Sequence, residues 1–351
     1  MRKLFIFLLL LTFLLVLSDL ASAASKKPMT AAELALYKGA DRQQILEEGA
    51  RKEGTLTFYT VGIMDQSVRP VVDAFNKRYP YIRVEIWRAS TDNILPRVLE
   101  EHKAGRQNAD MIVITQDGQM VLEETGLLQP FFSPVLAKLD PDARRTAPGG
   151  GALAAGVFET TRGVGYNTKL IGKNEIPKTH QDLLNPKWKG KIPIAGSNTG
   201  VSWMGTLLDA YGEEFVKKLT AQDIQVHMVS ARAILDMVIA GEYAFSPTVS
   251  DSHAVSSKRK GAPVEWLPLE PAPSFLGSAM IPKGSPHPHA ALLFTDFHLS
   301  EEVADIYIKA GYTSPNKSAP GERRFKRYYG PFTFQQERQW NDLFQKYFIK
   351  K

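Results

Sequence analysis

The sequence predicts an α/β protein of two lobes, each a mainly parallel sheet flanked by helices. Strand-like runs alternate with helix-like runs three times in succession, which is typical of a doubly wound parallel sheet. One strand-like run, 111–114, is continuously apolar, as a strand covered on both faces should be. The chain has 351 residues, more than one hydrophobic core usually serves, so two lobes are expected.

The first lobe is predicted from three strand–helix pairs. In the first of these helices, apolar residues at 68, 71, 72 and 75 fall on one face, as a period of 3.6 residues requires. A further helix over 41–52 precedes the first strand. The predicted strands span 55–60, 82–87 and 111–114, and the helices that follow them begin near 65, 91 and 119.

The border of this lobe is predicted at the Pro/Gly-rich stretch 148–151, although an ordinary surface loop has the same composition. Beyond it the alternation of strands and helices resumes. The predicted strands span 157–166, 191–195, 243–246 and 275–281, and the predicted helices lie at 201–211, 234–239, 290–298 and 334–348.

The first 23 residues have the features of a cleavable secretory signal. Arg2 and Lys3 precede an apolar run over 4–17, which is too short to span a bilayer comfortably, and Ala21 and Ala23 are the small residues of a cleavage site. A membrane anchor is the alternative, but the small residues favour cleavage after Ala23. A periplasmic protein is expected, with a leader and a helix over 24–50.

The composition argues against several classes of function. The sequence has no cysteine, which excludes thiol catalysis, thiolate metal sites and disulfides. The formal charge of +6 arises from basic residues scattered along the chain, so nucleic-acid binding is not expected. The seven histidines lack metal-type spacing, and Ser202 lies at the wrong spacing for a nucleophile elbow. No phosphate-loop or dinucleotide motif occurs, so a non-enzymatic protein without cofactors is expected.

Polar residues follow the predicted strands at their carboxyl ends, where open α/β sheets bind ligands. In the group before the helix at 201, small residues allow backbone N–H groups and the helix dipole to face an anion. Simple N-capping explains the same residues, at about 1 kcal/mol. The candidate positions are Thr60, Gly62, Arg88, Ser90, Thr115, Gln116, Thr199, Gly200 and Val201.

Five short segments carry a resemblance to a known family. They are Ala-Asp-Met-Ile-Val at 109–113, Glu-Thr-Gly-Leu-Leu at 124–128, Gly-Tyr-Asn-Thr-Lys-Leu at 165–170, the segment 182–192 and Met-Ile-Pro-Lys-Gly-Ser-Pro-His-Pro at 280–288. In this order they resemble the ferric-ion-binding-like branch of bacterial extracellular solute-binding proteins. The most specific part is Asn-Pro-Lys-Trp-Lys-Gly-Lys within 182–192.

The resemblance implies a type II periplasmic binding protein fold, with two lobes joined by a strand hinge. It implies a chain that returns to the first lobe, so lobe 1 is expected at 51–155 plus 274–351 and lobe 2 at 156–273. It also implies a monomer that captures a small-molecule ligand for the inner-membrane permease of an ABC uptake transporter. Closure about the hinge is the expected mechanism.

The positions at which iron-binding members hold their metal carry other residues here. Where adjacent tyrosines belong, the sequence reads Ser-Asp-Ser-His at 250–253, and Ile63 stands where a histidine would lie. The resemblance therefore argues against iron binding by the familiar ligands. A metal site of Asp117, Asp251 and His253 with a bound anion is the alternative. A secreted hydrolase on an α/β scaffold is a third interpretation.

The family's anion-holding turn is kept in form at 197–201, which favours ligand binding over capping for Thr199, Gly200 and Val201. Ser230 and Arg232 fall near another anion contact of the family, although a surface role is the alternative for Arg232.

The predicted ligand is a small organic anion or zwitterion, held by the turn and by Arg88 or Arg232 as a charge-assisted partner. Ser250 and Asp251 complete the predicted site. Asp251 would face a cationic or hydroxyl part of the ligand, and a hinge or loop-capping role is its alternative.

Overall fold

A computed structural model describes residues 30–319, 325–330 and 333–349 of the chain. The predicted signal peptide, its cleavage site after Ala23 and the start of the leader lie outside these residues. Among the helices described, none is long and apolar enough to cross a membrane.

Strands and helices alternate through the first third of the chain, as the periodicity of the sequence predicts. The π-helical turn Met64–Val68 leads into the helix that carries the predicted apolar face. The elements are α1 (Ala31–Ala35), α2 (Arg42–Glu53), β1 (Thr55–Thr60), α3 (Arg69–Arg78), β2 (Arg83–Arg88), α4 (Thr91–Lys103), β3 (Met111–Thr115), α5 (Gln116–Glu124) and β4 (Arg144–Thr146).

The remaining elements include three helices, α7, α9 and α11, that are not among the predicted ones. The elements are β5 (Ala152–Asn167), β6 (Pro193–Ala195), α6 (Asn198–Tyr211), α7 (Glu213–Thr220), β7 (Gln225–His227), α8 (Ala231–Ala240), β8 (Phe245–Ser250), α9 (Asp251–Arg259), β9 (Val264–Leu267), β10 (Ala272–Met280), α10 (Pro288–His298), α11 (Glu301–Ala310), β11 (Arg327–Tyr328) and α12 (Phe334–Phe344). A π-helical turn, Gln345–Ile349, follows α12.

The main sheet combines parallel and antiparallel strands. β2, β1 and β3 are parallel neighbours, as predicted. β10 then inserts between β3 and β5 and is antiparallel to both, which gives the order β2-β1-β3-β10-β5-β4. β6 and β7 form a separate parallel pair. The prediction of a mainly parallel sheet therefore holds for β1–β3 and β6–β7, whereas the long strands β5 and β10 are antiparallel to each other, and β10 is also antiparallel to β3.

Strand β5 belongs to both parts of the molecule. Residues up to Thr161 pair with β4 and β10, and residues from Arg162 onward pair with β8 and β9. The chain reaches β5 through Gly149–Gly151, three glycines with positive φ that turn it sharply. The predicted lobe boundaries stay a prediction, and the change of partners along β5 falls between Thr161 and Arg162.

Two large apolar clusters fill the interior. The first contains Phe58, Phe75 and Phe294, whose rings meet edge to face at centroid distances of 4.8 and 5.1 Å. The second contains Trp203 of α6 and, from the end of the chain, Trp340 of α12. Residues 334–349 thus pack on the second cluster, whereas the prediction placed 274–351 in the first lobe.

Candidate ligand-binding site

A cavity of about 220 Å³ lies where the two parts of the molecule meet. On one side it is lined by Thr115, Gln116 and Asp117, at the junction of β3 and α5. On the other side it is lined by the first turn of α6, including Thr199 and Val201. Four of the predicted residues therefore line one cavity, at the carboxyl end of a strand in each part.

The strands between the two walls contribute Arg162 from β5 and Phe275 from β10. The guanidinium lies 4.8 Å from the centre of the Phe275 ring, and its Nη1 donates to Ser250 Oγ at 2.5 Å. Its Nε is buried and has no hydrogen-bond partner among the residues that the structure describes. Burial lowers the pKa of Arg162 to about 10, an effect that the charge of Asp251 opposes. Arg162 is therefore cationic at neutral pH and gives the cavity a fixed positive charge.

The predicted anion-holding turn is the first turn of α6. Its N-cap residue, Ser197, makes no side-chain capping bond. The N–H groups of Gly200 and Val201 donate to the Ser197 carbonyl at 2.9 and 3.3 Å, so the helix itself uses two of the predicted anion donors. The first N–H groups of a helix have no intrahelical acceptor. At this terminus those backbone donors are the N–H groups of Asn198 and Thr199.

Gly200 has a packing role, and its contact with a ligand stays a prediction. A Cβ at this position would lie 2.0 Å from the carbonyl oxygen of Ala195, the last residue of β6. The glycine thus allows α6 to begin directly against the end of the strand. The close approach therefore explains why this position is glycine.

Hydroxyl contacts hold the cavity wall that comes from the first part of the molecule. The Thr115 hydroxyl lies 2.6 Å from that of Thr91 in α4, and it also donates to the Asp117 carboxylate. Thr115 is half-buried, whereas Asp117 is exposed at the start of α5. The carboxylate of Asp117 therefore lies at the exposed side of the cavity wall.

The predicted residues after β1 and β2 do not line this cavity. Thr60 is buried, and its Oγ1 accepts from the Gly62 N–H at 3.0 Å. Arg88 Nε donates to the Gly62 carbonyl at 3.3 Å, and Ser90 Oγ accepts from the Asn93 amide at 3.1 Å. These groups satisfy one another in the loops, and ligand contact by them stays a prediction.

Ser230 and Arg232 line a neighbouring surface pocket of about 480 Å³, which shares Thr199 with the cavity. Ser230 caps α8, with its hydroxyl 3.2 Å from a backbone N–H of the first turn. Arg232 pairs with Asp236 at 2.7 Å and donates to Ser257 at 2.9 Å. Its guanidinium is exposed and already has a carboxylate partner, which fits the surface role that the sequence left open.

Asp251 is fully buried at the start of α9. Its Oδ1 accepts from the backbone N–H groups of Thr161 at 3.2 Å and Ser252 at 2.7 Å. These bonds tie α9 to β5 where that strand changes partners. The geometry matches the hinge or loop-capping alternative, and contact of Asp251 with a ligand stays a prediction.

The residues of the alternative metal site lie apart. Asp117 lines the cavity, Asp251 is bonded to the backbone of β5, and His253 lines the neighbouring pocket. Burial lowers the pKa of His253 to about 4, with Arg162 and Arg232 adding to the shift. Within residues 30–319, 325–330 and 333–349, no group of three or more His, Cys, Asp or Glu side chains could hold a metal ion.

Helix α12 supplies the part of the cavity that the sequence did not reveal. Glu337, Trp340 and Asn341 line it, and their spacing of three and four residues places them on one helix face. Trp340 is 1% exposed, and in the described part of the chain its indole N–H has no acceptor. Burial, together with the charge of Asp117, raises the pKa of Glu337. The apolar spacing of this helix predicts a buried face, but no local pattern indicates its partner.

Two α/β parts joined by long shared strands, with a polar cavity between them, are the architecture of type II periplasmic binding proteins. A solved structure of FutA (IdiA) from Trichodesmium, with iron and citrate, matches with a TM-score of 0.70 and 19% identity, over 84% of this chain and 99% of that one. AfuA from Actinobacillus pleuropneumoniae, with fructose-6-phosphate bound, matches with a TM-score of 0.60 and 24% identity, over 84% and 98%. These matches confirm the predicted fold.

Residues 106–331, more than half of the chain, match the family of bacterial extracellular solute-binding proteins. The chain belongs to this family, which confirms the resemblance carried by the five segments. An uncharacterised protein of Haemophilus influenzae is 29% identical over 215 residues, or 56% of this chain. The matched segment spans 60% of the length of that relative. Helix α12 begins beyond the part of the chain that matches the family.

Proposed function

We propose that this protein is the periplasmic binding component of an ABC import system and captures a small organic anion in the cavity between its two parts. The observation that carries the proposal is a set of hydrogen-bond donors without acceptors. Arg162 Nε and the Trp340 indole N–H are both buried, unpaired in the described residues, and located on side chains that line the cavity.

Each donor points to the same ligand chemistry. Tryptophan and arginine donate and cannot accept, so their buried N–H groups call for an acceptor on the ligand. A buried donor without a partner costs about 1–3 kcal/mol, which a bound anion would recover. Asn198 and Thr199 add backbone N–H groups at the positive end of α6, a helix of fourteen residues. A phosphonate, phosphate ester or carboxylate has the oxygens to satisfy these donors.

Closure follows from the position of the cavity. A ligand that contacts Thr115 of one wall and Thr199 of the other binds the closed form better than the open one, because it contacts both walls only when they are close. An inner-membrane permease would then receive the closed, loaded monomer. Export through a signal peptide cleaved after Ala23 belongs to the same proposal.

The neighbouring pocket provides the internal comparison. Arg232 and Ser230 share Thr199 with the cavity, but Arg232 is exposed and paired with Asp236. If the anion binds in the cavity, Arg162→Gln should weaken binding about tenfold to a hundredfold, the range for loss of a hydrogen bond to a charged group. Arg232→Gln should change the affinity less than threefold.

The test is a thermal-shift panel of phosphonates, sugar phosphates and carboxylates, followed by calorimetry on both variants. A ligand at a hundred times its dissociation constant adds about 2.7 kcal/mol to stability, which shifts the midpoint of unfolding measurably. A panel without any shift would contradict the proposal. A larger loss of affinity in Arg232→Gln than in Arg162→Gln would indicate that the anion binds in the neighbouring pocket.

A further inference from the structure

Two carboxylates stand beside the cavity, and the proposed anion does not use them. Asp117 comes from the first turn of α5, and Glu337 comes from α12 at the far end of the chain. We propose that this carboxylate pair binds a protonated amine on the same ligand, so the protein selects zwitterions that carry an anionic group and an ammonium group. The inference rests on the proposed function, because it assigns the second end of the ligand bound there.

The cavity lining carries groups that favour opposite charges. Arg162, the Trp340 indole N–H and the N-terminus of α6 favour negative charge. Asp117 and Glu337 line the same cavity and favour positive charge. The charge that acts on Arg162 is that of Asp251, whereas the charge that acts on Glu337 is that of Asp117. The cationic and anionic groups of the cavity are thus not paired with one another, and a dipolar ligand would match both.

The carboxylate pair is costly without a cation. Burial and the nearby charge of Asp117 raise the pKa of Glu337, which means that its ionised form is disfavoured where it lies. An ammonium group between the two carboxylates would remove their repulsion and donate up to three hydrogen bonds. Uncharged or purely anionic ligands would leave the repulsion in place or increase it.

Trp340 points to a ligand in this cavity independently of the acidic residues. The side chain is 1% exposed, lines the cavity and keeps an indole N–H without an acceptor among the residues described. It lies three residues after Glu337, on the same face of α12. One helix therefore presents a donor for the anionic group and an acceptor for the ammonium group of a compact ligand.

Helix α12 brings Glu337 to the cavity from a part of the chain beyond the match to the family model. The match to the family ends at residue 331, before α12 begins at Phe334. Apolar packing on the second cluster holds the helix in place, with Trp340 and Phe344 buried. Asn341 Nδ2 donates to the Glu337 carbonyl at 3.0 Å, so this turn of the helix is fixed where it meets the cavity.

The test compares two ligands that differ by one group, 3-aminopropylphosphonate and propylphosphonate, by calorimetry at pH 7. The wild-type protein should bind the amine-bearing ligand at least tenfold more tightly. Glu337→Gln should reduce this preference to threefold or less. Asp342→Asn, which removes an exposed carboxylate on the same helix away from the cavity, should leave the preference unchanged.

Each result separates this inference from the proposed function. If propylphosphonate bound as tightly as the amine-bearing ligand or more tightly, and Arg162→Gln abolished this binding, selection of zwitterions would be refuted. The proposed anion site would then still hold. A preference that Glu337→Gln does not change would also overturn it. If EDTA abolished the preference, the carboxylates would be assigned to a metal ion, and their proposed contact with the ammonium group would be refuted. Failure of both ligands and of the whole anion panel would instead overturn the proposed function.

Discussion

Replacing Gly205 by alanine should destabilise the protein through its contact with α12. Gly205 lies in α6, and a Cβ there would stand 2.0, 2.3 and 2.4 Å from three atoms of the Trp340 indole. Ordinary carbon contacts begin near 3.5 Å, so the ring would have to move by more than about 1 Å. Trp340 is fully buried and belongs to the second apolar cluster, which leaves it little room to move.

The magnitude has two terms of opposite sign. Overpacking a well-filled core costs about 1–3 kcal/mol, and a contact this short with a rigid ring belongs at the upper end. Alanine in place of glycine within a helix gains about 1 kcal/mol. The net loss expected for Gly205→Ala is therefore about 2 kcal/mol. Trp340→Ala alone should cost about 3–5 kcal/mol, as for other large buried aromatics.

The double variant gives the decisive comparison. Once Trp340 is alanine, the methyl group at Gly205→Ala has space, and only the gain in helix propensity remains. The second substitution should then stabilise by up to about 1 kcal/mol, which gives a coupling energy of about 3 kcal/mol. Urea unfolding followed by far-UV circular dichroism measures all four proteins. Additive effects of the two substitutions would refute the packing of α12 against α6.

Three further predictions concern single positions. Gly200→Ala should prevent stable folding or cost more than about 3 kcal/mol, because its methyl group would lie 2.0 Å from the backbone oxygen of Ala195. A midpoint of thermal unfolding within about 2 °C of the wild-type value would contradict this prediction. Burial lowers the pKa of His298 to about 3, so the unfolded state binds a proton first as the pH falls below 6.5. Stability should drop by about 1.4 kcal/mol per pH unit from this residue, and urea unfolding of His298→Gln should show a flatter pH profile. Asp251→Asn should lose about 1–3 kcal/mol of stability yet keep or raise the affinity for anions, because it removes a negative charge that acts on Arg162. A folded variant without anion binding would contradict the structural role of Asp251.

The sequence predicts those parts of the fold that local periodicity determines. The strands at 55–60, 82–87 and 111–114 and the helices after them are found within a few residues of their predicted positions. The position of β10 between β3 and β5 could not be predicted, because strand order depends on pairing across more than a hundred residues. The same holds for α12, whose apolar face is visible in the sequence and whose partner is not.

Some residues of the candidate site could also be predicted from local sequence patterns, and others could not. Thr115, Gln116, Thr199 and Val201 were found because polar residues at strand ends and helix starts form a local pattern. Arg162 was missed because it lies within a long strand, where a single arginine is compatible with either a surface or a cleft. Only the change of partners along β5 places it between the two parts, and that change is a property of the whole sheet.

The location of Arg162 links ligand binding to the motion that the fold permits. Each apolar cluster packs within its own part, while β5 pairs with strands of both, so relative movement of the parts would be absorbed along this strand. Arg162 sits where β5 changes partners, and the adjacent Thr161 N–H is held by Asp251. In the proposed function, a ligand on Arg162 would therefore contact the segment where the two parts are joined. Because a ligand shifts an equilibrium only by its difference in affinity for the two forms, the proposed anion contact with Arg162 would couple binding to the proposed closure.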